Sequence, residues 1–167
     1  GDFARHAQGS GQVYDNHTQR NAITKIKVKH DEESLCFMLK TKDDITPADG
    51  VGTWMQIYLN TEGGTGYQYI LNTNPAANGT TTLSRVTGQG DDLSAEIIPD
   101  VTAYYDVRGN RLRIKVPRKA IGLDHGPFTV WFKAVDSTVP VKNIADFYDK
   151  GDAAPLGRLN FVYKGEE

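Results

Sequence analysis

Cysteine is nearly absent. One thiol, Cys36, in 167 residues excludes an internal disulfide, and its place in the apolar run LCFMLK predicts a buried, inert side chain. No run of about 18 apolar residues occurs, so no membrane-spanning helix is expected, and no signal peptide is visible. The chain opens on Gly1 and not on an initiator Met, which predicts a domain excised from a longer protein, with Gly1 left over from the excision. Charge of one sign is also lacking: 19 Lys and Arg stand against 21 Asp and Glu, for a net charge of -2. The basic residues are scattered along the sequence, so nucleic acid and anionic membrane surfaces are not expected as partners. No apolar stripe at helical spacing is sustained over ten residues, which excludes long helices. There is no internal repeat, low-complexity segment or linker. At 18.4 kDa residues 1–167 read as a single domain able to bury a core without covalent staples.

What is present is alternation of apolar and polar residues with period two. ITKIKVKH sets Ile26 and Val28 on one face and Lys25, Lys27 and Lys29 on the other. LCFMLKT turns Leu35, Phe37 and Leu39 inward, and RLRIKV does the same with Leu112, Ile114 and Val116, leaving Arg111, Arg113 and Lys115 outside before Pro117 ends the strand. Asn78-Gly79 signals a tight turn and a further hairpin, PRKAIGL reads as one helical turn, and FTVWFKAV and LNFVY close the series. The expected fold is all-β: an antiparallel two-sheet β-sandwich, jelly-roll-like, with about eight to ten strands and little helix.

Motifs for chemistry are weak. Asp43, Asp44 and Asp49 in TKDDITPADG are oxygen ligands of the kind Ca2+ takes, but the closing Glu of an EF-hand is missing and a strand-joining loop uses the same residues, so a turn is favoured. His6, His17, His30 and His125 show no ligand spacing, which argues against zinc. No local nucleophile motif or singled-out carboxylate pair points to an enzyme. The sequons at Asn16 and Asn78 are short enough to arise by chance, and the second is better explained as a turn. The closing stretch DFYDKGDAAPLGRLNFVY gathers Asp146, Asp149 and Asp152. With Lys150 and Gly151 among the acids and no companion base, it reads as a loop in which Asp149 and Asp152 accept backbone N–H bonds and Arg158 pairs with one of them.

The aromatics are more informative. In WMQIYLN, strand parity gives Met55, Ile57 and Leu59 to the core and groups Trp54, Gln56 and Tyr58 on the opposite face. Two flat rings with an amide between them would suit a sugar, whose apolar C–H face stacks and whose hydroxyls take planar polar partners. Trp131 alternates into the same class as Lys133. In GYQYILN the face of Gln68, Ile70 and Asn72 competes with that of Tyr67, Tyr69 and Leu71. The expected ligand-binding set is Trp54, Gln56, Tyr58, Asn72, Trp131 and Lys133. A competing expectation has these faces covered by loops, so that Trp54 and Tyr58 form a secondary core.

The order of WMQIYLN, GYQYILN, PRKAIGL, VWFKAVDS and IADFYDKGDAAPLGRLNFVY resembles the β-sandwich of family 9 carbohydrate-binding modules and the related DOMON-like domains, as appended to secreted bacterial polysaccharide-degrading proteins. The resemblance covers roughly Ala22 to Tyr163, and DFYDKGDAAPLGRLNF is its most specific part. It implies a noncatalytic sugar-binding module beside a glycoside hydrolase domain of the same chain, located extracellularly, in the periplasm or at the cell surface. It also implies that a sugar is clamped between two Trp rings, here Trp54 and Trp131, and that structural calcium is carried, for which the Asp43 to Asp49 loop is the candidate. A haem-binding branch of the fold would draw on Met38 and Met55 with the histidines. A structural spacer packing against a neighbouring domain is the alternative from another class.

Overall fold

The computed structural model describes residues 3–6, 13–16, 20–50, 52–88, 92–137, 140–142, 151–155 and 160–166. The expected two-sheet antiparallel sandwich is what forms. Its strands are β1 (Phe3–His6), β2 (Val13–Asn16), β3 (Ile23–His30), β4 (Ser34–Thr41), β5 (Thr53–Asn60), β6 (Tyr69–Leu71) and β7 (Thr80–Thr81), followed by β8 (Leu83–Val86), β9 (Ala95–Ile97), β10 (Ala103–Arg108), β11 (Arg111–Pro117), β12 (Phe128–Ser137), β13 (Gly151–Ala154) and β14 (Phe161–Gly165). A five-stranded sheet runs β3-β4-β11-β10-β7, and a seven-stranded sheet runs β13-β12-β5-β6-β8-β9 with β14 also on β12. The strands outnumber those read from alternation because several span only two to four residues. Among the described residues β1 and β2 pair with each other and with no other strand. No helix among the described residues is long and apolar enough to cross a membrane.

The main core lies between the sheets. Leu35, Phe37, Leu39, Leu112, Ile114 and Val116 from one sheet meet Met55, Ile57, Leu59, Val130, Phe132 and Ala134 from the other. Each large side chain fully removed from water contributes about 1.5–3 kcal/mol, so these alternating positions dominate the stability of the fold. Phe37 and Phe132 bridge the layers edge to face, with centroids 5.1 Å apart.

Connections follow local chemistry. Gly109, at φ 60°, opens the two-residue turn from β10 to β11, where Arg108 faces Arg111. PRKAIGL forms the expected single turn, a 3-10 segment over Arg118–Ile121 stopped by Gly122 in the left-handed region. Asn78-Gly79 forms a turn, with Asn78 Oδ1 accepting from Thr80 N–H and Oγ1, but the flanking strands do not pair. β7 leaves for the five-stranded sheet, where Thr80 and Thr81 face Tyr104 and Ala103, while β6 pairs with β8.

The closing stretch makes a divided edge strand, β13 and then β14, along β12. Asp146, Asp149 and Arg158 lie outside the described residues. Asp152 does accept a backbone N–H, but from Ile23 at 2.7 Å. It ties this edge to the start of β3.

Candidate ligand-binding face

The expected aromatic platform on β5 does not assemble as parity predicts. Between Gln56, opposite Val135, and Thr53, opposite Ser137, β5 carries two residues against the single Asp136. This bulge puts Met55 at φ 43°, a left-handed conformation that costs a non-glycine residue about 1–2 kcal/mol. Met55 N–H donating to Asp136 Oδ1 at 3.1 Å and Asn72 Nδ2 donating to Met55 O at 3.0 Å offset that cost. Trp54 and Met55 both therefore enter the main core. Trp54 is 5 % exposed, its Nε1 donates to Thr46 O at 2.7 Å, and its ring meets Tyr105 edge-on. Asn72 is fully buried and also accepts from Thr81 Oγ1 at 2.9 Å.

Gln56, Tyr58, Trp131 and Lys133 do share the outer side of the seven-stranded sheet, Tyr58 directly opposite Lys133. That side is largely covered. Tyr58 packs with Tyr67, Ile70, Leu93, Val135 and Ala153 in a second apolar cluster. Lys133 is buried and donates through Nζ to Pro155 O. Gln56 Oε1 accepts from Tyr58 OH at 3.4 Å. Trp131 stays half-buried beside Gly63. The secondary-core expectation thus describes Tyr58, while Trp54 belongs to the primary core.

The acidic loop is held by a guanidinium. Arg20 donates through Nε to Asp136 Oδ2 at 2.9 Å, through one terminal nitrogen to Asp49 Oδ2 at 2.9 Å, and through the other to Ser137 O at 2.8 Å. Gly52 N–H takes Asp49 Oδ1. Burial disfavours the Arg20 charge, but Asp136 and Asp49 more than offset that and hold its pKa above the ordinary value. Asp49 is thus engaged by Arg20 and by its own loop. Among the described residues no group of three or more His, Cys, Asp or Glu is arranged to hold a metal. Three of the residues a haem would draw on are committed elsewhere. Met55 is locked in the core, Met38 points out of the other sheet, and both ring nitrogens of His30 are engaged, by Tyr163 OH at 2.7 Å and Glu166 O at 2.9 Å.

The outward side of the five-stranded sheet is open. Cross-strand register arranges it in three rows over β3, β4, β11 and β10: Lys25, Lys40, Arg111, Arg108; then Lys27, Met38, Arg113, Asp106; then Lys29, Cys36, Lys115, Tyr104. Eight of the chain's 19 Lys and Arg lie here, against one of its 21 acids. The scattered basic residues expected from the sequence are therefore clustered in space, because period-two alternation sends each outward and antiparallel pairing lines them up. Cys36 is likewise not in the core: its inward neighbours Leu35 and Phe37 turn it out, half-buried, between Lys29 and Lys115. The lone carboxylate, Asp106, bonds Arg108 Nε at 3.0 Å. Tyr104 is 55 % exposed and borders a concavity of about 530 Å3 lined also by Lys29, Ser34, Arg113 and Lys115 and by the carboxylates Asp31 and Asp106.

A scan of family models, a search of curated proteins and a search of solved structures gave no match to this chain. The face itself is thus the strongest pointer to function. A sequence signal for it existed in the triplets Lys25-Lys27-Lys29 and Arg111-Arg113-Lys115, each on the polar side of a strand. What was missing was that one strand, β4, joins them.

Proposed function

We propose that the domain is a noncatalytic carbohydrate-binding module of the family 9 or DOMON-like kind, an accessory to a secreted bacterial polysaccharide-degrading protein, and that it takes its ligand on the outward side of the five-stranded sheet. The observation that carries this reading is the exposed Tyr104 ring at the border of the 530 Å3 concavity. That volume lies within the range of small-ligand sites. A flat ring offers a stacking surface for a pyranose, and Ser34, Lys29 and Lys115 supply donors for its hydroxyls. The burial of Trp54, Tyr58 and Lys133 moves the proposed site away from β5.

The test is calorimetry of the domain against a glycan panel, with Tyr104→Ala and Trp54→Phe compared. Tyr104→Ala should weaken binding about tenfold, the order of one stacking contact, while Trp54→Phe should change stability more than affinity. Binding that survives Tyr104→Ala intact refutes the placement.

A second reading, the spacer, is supported by β14. Phe161 and Val162 are 41 % and 53 % exposed, beside a groove of about 430 Å3 lined by Ile23, Ile26, Val28, Phe132 and Tyr163. Adjacent exposed apolar side chains suit packing against a neighbouring domain. In that case hydrogen exchange over Phe161–Gly165 should be slower in the longer parent chain than in the isolated domain.

A further inference from the structure

We infer that the outward side of the five-stranded sheet selects an anionic polysaccharide, with the row Lys25, Lys40, Arg111 and Arg108 engaging its carboxylate or sulfate groups. This rests on the carbohydrate-binding reading and names the class of glycan. The first argument is the register. Lys40 faces Lys25 on one side and Arg111 on the other, and Arg111 faces Arg108. Like charges directly opposite one another destabilise a sheet, so the row, offset only at Arg108 by Asp106, is a standing cost that a bound polyanion would relieve. Two of the four are arginines, whose planar forks match carboxylate and sulfate oxygens in pairs.

The second argument is where the acids are. Asp106 is the one carboxylate in the rows and is already paired with Arg108. Asp31, Glu32 and Glu33 sit in the turn joining β3 to β4, and Asp43 and Asp44 follow Thr41. They lie in the connections at the two ends of the face, whose three rows hold eight cations and one carboxylate on a chain of net charge -2. The third argument is shape. Three interstrand gaps of about 4.8 Å make the face roughly 14 Å wide, too broad for the ~12 Å major groove of a DNA duplex. Single-strand binders present a succession of stacking rings, whereas Tyr104 is the one aromatic in these rows. A thin, flexible, hydroxyl-rich polyanion fits better than a nucleic acid.

The experiment titrates the domain with polygalacturonate, a sulfated galactan, a neutral galactan of similar length and a thymidine oligonucleotide, in low and moderate salt. At least one acidic glycan should bind about tenfold or more tighter than the neutral one. That margin should fall by roughly ten- to fiftyfold between about 50 and 200 mM salt, if four charges each release about 0.7 counterion. The double variant Lys40→Gln/Arg111→Gln, confirmed folded by its melting transition, should lose most of the ratio of acidic to neutral affinity. Preference for polygalacturonate identifies carboxylate as the recognised group, and preference for the sulfated chain identifies sulfate. Equal affinity for neutral and acidic glycans, an acidic preference that survives the double variant, or tighter binding of the oligonucleotide than of either acidic glycan would overturn the inference. If neutral glycans bind and acidic ones gain nothing, the inference falls and the carbohydrate-binding reading stands; if no glycan binds, both fall.

Discussion

Replacing Lys40 by Gln should stabilise the free domain. Lys40 lies on β4 between Lys25 and Arg111, each directly across a strand pair, where Cβ atoms are about 4.5–5.5 Å apart. The charged ends can splay to roughly 8–10 Å, at which two unit charges in water repel by about 0.4–0.5 kcal/mol. Gln keeps the length and aliphatic stem of the side chain and removes both repulsions, so the gain is about 1 kcal/mol at low ionic strength. It should shrink to about half or less near 0.15 M salt, where the Debye length is about 8 Å. For a chain of this size 1 kcal/mol moves the melting temperature by about 2–4 °C. Calorimetry in low and high salt measures it. The wild type should gain stability with salt and Lys40→Gln should gain less, while Lys164→Gln, whose partner across the sheet is Thr129, should leave the salt dependence unchanged. A Lys40→Gln variant that melts at or below the wild-type temperature in low salt would refute the claim that the row is electrostatically strained.

Two further predictions concern the end of the sandwich near β11. Arg118 is 7 % exposed. It donates to Leu123 O at 2.8 Å, Asp31 O at 2.8 Å and Gly126 O at 3.2 Å, with its guanidinium 4.8 Å from the Phe128 ring centroid. Arg118→Ala orphans three carbonyls and should cost about 3–5 kcal/mol in urea unfolding; Arg118→Lys, a single point donor, should restore less than half, and a loss under about 1 kcal/mol for the alanine would contradict the clamp. Asp31 is held below the usual carboxylate range, chiefly by the Glu33 and Ser34 N–H groups on its Oδ1, with help from the Lys115 and Arg118 charges. A depressed folded pKa adds stability above the unfolded pKa that is lost as pH falls through the folded value. The deficit of Asp31→Ala should accordingly be full above about pH 4, near the unperturbed Asp value, and shrink below it; a deficit constant from pH 2 to 6 would exclude the ionised cap.

Much of the fold was legible because strand parity is local. Leu35, Phe37, Leu39, Leu112, Ile114 and Val116 all occupy the core that alternation assigned them, and PRKAIGL makes its one turn. Parity failed at Trp54, where a single bulge residue, stabilised by Asp136 from 81 positions away in sequence, reversed the side on which a whole proposed platform rested. The apolar character of its run misled for Cys36, where alternation was the better guide. An apolar run with one thiol reads as core, yet the register of its neighbours turns it outward.

The sequence by itself determined that the chain is a two-sheet antiparallel sandwich and which residues of β3 and β11 turn to water, since both depend on side-chain character at a spacing of two. Only the tertiary structure decided which strands lie side by side. By setting β4 between β3 and β11, it brought Lys25, Lys40 and Arg111, far apart in sequence, into one row, while the same sequence on a different strand order would have dispersed them. Charge is carried by residues, but an electrostatic surface belongs to their arrangement.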